Sequence, residues 1–322
     1  MTSSSLNERY LGTCYDIRFI AEYLKRARST SPKSKLPIPS CSLAELLTPL
    51  KAAAVHIDAG LLLAATRTAH DSFTRDVPSF QLLPHSNFYC GLVPAGDPDN
   101  GGFFSRYWRG FNYIGNYGFA AVLSPGLDYG TKMRTIELAR SYIHDSLHAA
   151  TYRTFRRRDL HDNHPVPVYR EQYGFNFRRS TGISYSRKGY ESELPGRLNL
   201  NILMDGLTTL AVARVLSTFA VDILRGTCSS HERSVMHDVT CLLGEISADS
   251  PSFSFHRNVT SHVVEFLDFW DAPELQRQLF RAMLTGEMAA LCAYFLHLLA
   301  ASELGKNSSC RPHGSNRVPS GA

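Results

Sequence analysis

Apolar positions recur with helical period along most of this chain, and only short stretches read as strand. Leu11, Tyr15, Phe19, Ile20, Tyr23 and Leu24 lay an imperfect apolar face along residues 8–28, which predicts a helix. The Ser-, Pro- and Lys-rich segment from Ser29 to Ser40 ends that periodicity and reads as a linker. From Ser42 to about Thr68 the helical period returns through Leu43, Leu46, Leu47, Leu50, Ala53 and Ala54. Ser42 with Glu45 predicts a capping box at its start, and Pro49 predicts an early kink or split.

Residues 84–116, with Gly101-Gly102-Phe103-Phe104 and Tyr107-Trp108, read as a loop. Tyr117 to Leu123 is a short apolar run stopped by Ser124-Pro125-Gly126, and predicts a strand. A helix is expected from Thr131 to about Arg157, with Met133, Ile136, Arg140, Ile143, Leu147, Thr151 and Phe155 as its inward stripe. The turn-rich residues 161–197 hold two candidate short strands, Tyr173 to Phe177 and Thr181 to Tyr185. A second strong helix is expected over about Asn201 to Leu224, its stripe running through Leu203, Leu207, Leu210, Ala211, Val215, Phe219 and Ile223. Further helices are expected at His231 to Ile246, Val259 to Trp270, Pro273 to Leu284 and Gly286 to Leu304. The pattern predicts a mostly helical α+β protein. Residues 1–83 form an N-terminal helical region with the linker, 84–304 a larger domain with C-terminal helices, and 305–322 a disordered tail.

Composition adds bounds. A chain of 322 residues, 43% hydrophobic and 20% charged, can bury a substantial core. Its 34 basic residues are nearly matched by 29 acidic ones, and a net charge of +5 is too mild to imply nucleic-acid binding. Lys25-Arg26-Ala27-Arg28 with Lys33 and Lys35 reads as a solvated linker, with nuclear import the lesser alternative. Arg153, Arg156, Arg157 and Arg158 read as cations complementing the dipole at the end of the Thr131 helix. The seven cysteines are scattered and never in a C-x-x-C pair, and residues 1–8 lack a secretory signal. An intracellular, cytoplasmic protein with reduced thiols is therefore expected. The apolar run at 59–65 and the longest apolar run within the helix at 286–304, which contains His297, are shorter than a membrane span. No P-loop, dinucleotide fingerprint or Ser or Cys nucleophile motif occurs, so ATP and NAD are not implied.

One string carries chemistry. In His144-Asp145-Ser146-Leu147-His148 two imidazoles lie one helical turn apart on one face, where they can grip a single metal ion, with an acid between them to act on bound water. A catalytic zinc site needs a third protein ligand and an open position. Asp205, in Asn201-Ile202-Leu203-Met204-Asp205-Gly206-Leu207-Thr208-Thr209-Leu210, is the candidate.

The order of strand, loop, helix with His-acid-x-x-His, turn-rich stretch, and helix with acid-Gly-Leu-Thr resembles the core of the gluzincin metallopeptidases, over roughly residues 110–225. That resemblance implies a zincin-like core with a small mixed sheet. It implies Zn²⁺ on His144, His148 and Asp205, Asp145 as general base, and a protein or peptide substrate lying along an edge strand at Tyr117 to Leu123. Tyr185 and Tyr190 are the candidates for oxyanion support. The family carries Glu where this chain has Asp145 and Asp205. Zinc accepts an aspartate ligand readily, but general-base geometry is demanding, so a slow peptidase or an inactive metal-bound relative is expected.

Two alternatives use the same residues differently. The His144-Asp145 doublet also resembles that of the HD-type phosphohydrolases, with His56 or His70 upstream and Asp205 or Asp222 downstream, although His148 then has no role. The other alternative is a non-catalytic helical interaction protein. The cluster His161-Asp162-Asn163-His164 precedes Pro165 and reads as a turn.

Overall fold

The computed structural model describes residues 7–29, 39–93, 109–123, 131–158, 166–177, 200–227, 266–267 and 274–308. In chain order the elements are β1 (Glu8–Leu11), α1 (Cys14–Ser29), β2 (Ser40–Ser42), α2 (Leu43–Leu46), α3 (Pro49–Ala54), α4 (Ala59–Asp76), β3 (Phe88–Val93), β4 (Arg109–Asn112) and β5 (Tyr117–Leu123). There follow α5 (Thr131–Ala150), β6 (Arg153–Arg157), β7 (Val168–Tyr173), β8 (Asn176–Phe177), α6 (Leu200–Thr227), α7 (Leu275–Thr285) and α8 (Met288–Ser308). The architecture is α+β with helix predominating, and its strands form two small mixed sheets, neither of them a closed barrel.

The first sheet has the order β1-β6-β7-β8, with β1 parallel to β6 and the other pairs antiparallel. The second has the order β2-β3-β5-β4, with β3 parallel to β5 and β4 antiparallel to it. One buried cluster runs through α2, α4, β3, α5, α6 and α7, so residues on either side of position 83 share a core. A second, small cluster of Ile20, Leu24, Phe155 and Val168 seals α1 onto the first sheet.

Local signals set several boundaries. The capping box is present: Ser42 N–H donates to Glu45 Oε2 at 2.7 Å, and Glu45 N–H donates to Ser42 Oγ at 3.2 Å. Pro49 stands at the first position of α3, so the expected single helix is three, and α4 restarts where Asp58 accepts the Leu61 amide at 2.9 Å.

Other expectations are corrected. Residues 8–11 are strand rather than helix, and Gly12, at φ 130°, turns the chain into α1, whose entry is capped by Thr13 and Asp16. The stretch 84–116, read as loop, contributes β3 and β4. The helix read to Arg157 stops at Ala150, and Arg153–Arg157 pair as a strand with β1 and β7. Tertiary partners outweigh helix propensity there: Arg153 Nε donates to Glu8 Oε1 at 2.6 Å, with both side chains only 1% exposed.

The basic cluster therefore does not neutralise a helix end. Arg156 pairs with Glu171 at 3.0 Å, Arg157 lies over the Tyr15 and Phe19 rings, and Arg158 lies over Tyr169. Tyr117–Leu123 is a strand as expected, but it lies inside the sheet between β3 and β4 rather than at an edge. Asn176–Phe177 is a short strand, whereas Tyr173 ends β7. Helix α8 continues to Ser308, past the expected end at 304. The segments 161–165, 181–185, 231–246 and 309–322 lie outside the described residues. Among the described residues Cys14, Cys90 and Cys292 are free thiols, and no helix is long and apolar enough to cross a membrane.

Candidate metal centre

Helix α5 is the pillar of the site. It packs on β5 along one side and on α4 and α6 along others, so its buried residues, Ile136, Leu138, Ala139, Tyr142, Ile143, Leu147 and Ala150 among them, surround the axis instead of forming one stripe. Leu83 is tied to it twice, its amide donating to Ser146 Oγ at 3.2 Å and its carbonyl accepting from the Tyr142 hydroxyl. His144 and His148 occupy its C-terminal end, half-buried. Helix α6 packs through Leu203, Met204 and Leu207, and this turns Asp205 toward the two imidazoles.

The structure brings the three expected ligands together. The Nε2 atoms of His148 and His144 are 2.9 Å apart, and His148 Nε2 lies 3.0 Å from Asp205 Oδ1. One donor atom from each of the three falls within 4.8 Å of the others. Around a tetrahedral zinc, with bonds of about 2.0–2.2 Å, neighbouring donors stand roughly 3.3 Å apart. Two imidazole nitrogens and a carboxylate oxygen, with a fourth position open, are a donor set that suits Zn²⁺ and also Fe²⁺. The donors therefore fit an ion.

Electrostatics favour a cation at this point. Burial works against a charged His148 imidazole, but the Tyr173 oxygen and the Asp205 and Asp145 carboxylates outweigh it and push its pKa up to about 10. The helix C-terminus adds to the same preference. A proton on His148 Nε2 thus occupies the place where a metal ion would sit.

Asp145 is on the adjacent face of α5, 2% exposed, and its Oδ2 accepts the backbone amide of Phe119 in β5 at 3.1 Å. Gly118 makes this approach practicable, because a Cβ there would stand 2.5 Å from Asp145 Oδ2. The carboxylate is thus anchored to the strand while it acts on His148 through space.

Tyr173 was not legible as a site residue. Its hydroxyl lies 2.5 Å from His148 Nδ1, and it arrives on β7 because the turn at Gly174 is pinned to the end of α5 and to α6. The Gly174 amide donates to the Tyr152 carbonyl at 2.8 Å, and φ of 55° with Met204 Sδ 2.7 Å from any added Cβ leaves room only for glycine. Nothing in the spacing of Tyr173 signals this contact.

Of the remaining candidates, Tyr185, Tyr190, His161 and His164 lie outside the described residues, as does the side chain of Asp222. His70 pairs with Asp71, and neither it nor His56 joins the group of three. Compared with known proteins, the chain matches no family model, no curated protein and no solved structure.

Proposed function

We propose that the protein is a zinc-dependent, peptidase-like hydrolase with its metal on His144, His148 and Asp205. The observation that carries this reading is the convergence of three donor atoms from two helices within 4.8 Å. Zinc held there supplies a Lewis acid and an acidified water. His144, His148 and Asp205 would hold the ion, and Asp145 would be the proton acceptor beside it. The cluster includes His148, which the phosphohydrolase reading leaves without a role, and so favours the zinc reading over it.

A second reading has its own support: a metal-bound protein without peptidase activity. Asp145, one methylene shorter than glutamate, already has Oδ2 engaged by the Phe119 amide. A base held this way reaches less far toward a metal-bound water than the longer side chain does.

Elemental analysis of the purified full chain beside a His144→Ala/His148→Ala double variant tests both. About one zinc per chain, lost in the variant, supports the site, and chelator-sensitive cleavage of a peptide library then separates the two readings. Iron in place of zinc redirects the reading to oxygen chemistry, two metals per chain redirect it to phosphoester hydrolysis, and no metal after reconstitution sinks it.

A further inference from the structure

We infer that Tyr173 is a positioning residue that sets the tautomer of His148, presenting His148 Nε2 to the metal, and that Arg170 holds Tyr173 in place. This rests on the metal-site reading above and adds a residue outside its ligand set.

A tyrosine hydroxyl has one proton to donate and lone pairs to accept with. The Tyr173 hydroxyl lies 3.4 Å from the backbone carbonyl oxygen of His148 and 2.5 Å from Nδ1 of the same residue. A carbonyl can only accept, so the hydroxyl proton goes to it, and the oxygen is left to accept from Nδ1–H. With its proton on Nδ1, a neutral imidazole carries its free lone pair on Nε2. That atom faces Asp205 Oδ1 at 3.0 Å and His144 Nε2 at 2.9 Å. The ring is thereby fixed both in rotation and in tautomer, the arrangement a metal-binding histidine needs from the partner of its other nitrogen.

The phenol is itself clamped. The Arg170 guanidinium carbon stands 3.9 Å from the Tyr173 ring centroid and 4.1 Å from that of Tyr113, so the cation is sandwiched between the two rings. Tyr113 belongs to the turn between β4 and β5, Arg170 and Tyr173 to β7, and His148 to α5, so the stack joins both sheets to the metal centre. Tyr173 is 8% exposed and Arg170 is 7% exposed, and packing at that depth leaves the ring little freedom to turn away.

The test is Tyr173→Phe in the full chain, which keeps the ring and its stacking and removes only the hydroxyl. Zinc affinity, read by competition with a chelating dye, should fall about 10-fold to 100-fold. The control is Tyr142→Phe, which removes another buried hydroxyl of the same core and should lower stability while leaving zinc affinity unchanged. If both variants weaken zinc equally, Tyr173 acts only through stability and the inference fails. If Tyr173→Phe binds zinc like wild type, it fails as well.

A second readout needs no metal. In the histidine-ring ¹H–¹⁵N spectrum of the metal-free protein, the Nδ1–H of His148 should be protected from exchange, and Tyr173→Phe should expose it. A wild-type His148 without a protected Nδ1–H overturns the inference. A protected Nδ1–H in a protein that binds no metal would sink the proposed function and leave the role of Tyr173 standing.

Discussion

The carboxylate of Asp145 accepts the Phe119 amide at 3.1 Å, joining the helix that carries both histidines to the strand beside it. The observed strand tether and the proposed role as proton acceptor fall on one side chain, and substitution separates them. Asp145→Asn keeps an oxygen for the amide and loses the charge. We expect it to fold and still take up zinc, with lower affinity because a carboxylate acting on His148 is lost, and any peptide hydrolysis to drop by about 10²-fold to 10⁴-fold. Asp145→Ala orphans the buried amide as well and should lower unfolding free energy by about 1–3 kcal/mol. Zinc content, peptide turnover and urea titration of the two variants read this directly.

Gly118 is required by that same contact. An added Cβ would lie 2.5 Å from Asp145 Oδ2, 2.8 Å from Asp145 Cβ and 2.9 Å from Phe88 Cδ2, and neither a short carboxylate nor a packed ring can swing clear. Gly118→Ala should destabilise the protein by about 1–3 kcal/mol, as overpacking does. A urea midpoint equal to wild type would show that α5 and β5 do not approach this closely.

At the proposed site, zinc would have to displace a proton from His148. The metal-free imidazole is held up to about 10, so below that value apparent zinc affinity should rise about tenfold per pH unit, with about one proton released per ion. Calorimetry in two buffers of different ionisation enthalpy counts that proton. In the metal-free protein the sign is the other way. A raised folded pKa gives stability that is fully present below the ordinary 6.5 and is lost as pH rises through about 10, so the unfolding midpoint should fall across that window and stay flatter in His148→Asn.

Glu8 anchors the amino-terminal strand through two arginines, Arg153 at 2.6 Å and Arg28 at 2.8 Å. Burial alone would raise its pKa, but the two guanidinium groups outweigh that and hold it below the ordinary 4.5. Its contribution is present above the unfolded value and is lost as pH falls through the folded one. Glu8→Gln leaves Arg153 buried without its counter-charge and should destabilise by about 3–5 kcal/mol at neutral pH. It should also flatten the acid limb of the stability profile, and an acid limb identical to wild type would exclude the pair as its source.

What could be read along the chain and what could not divide by distance. His144 and His148 are one helical turn apart, Ser42 and Glu45 are three residues apart, and Pro49 acts on its own helix, so periodicity and capping chemistry suffice for each. Asp205 stands out in the sequence only through its order and neighbours in a second helix. Tyr173 reaches His148 across 25 residues, and Glu8 reaches Arg153 across 145, and neither interval leaves a local pattern. The arginines after Ala150 show the same limit, since helix-forming residues at a helix end were drawn into a strand by partners far away in the chain.

Side-chain type and a fixed backbone period were enough for the helical character and for two histidines on one helix face with Asp145 between them. That β5 is interior, that Asp145 is bound to its amide, and that a tyrosine stacked on Arg170 faces His148 emerge only from the folded chain. Those outcomes turn on which sheet neighbours and which helix faces pack together. Packing is a property of the whole core, and no single segment carries it.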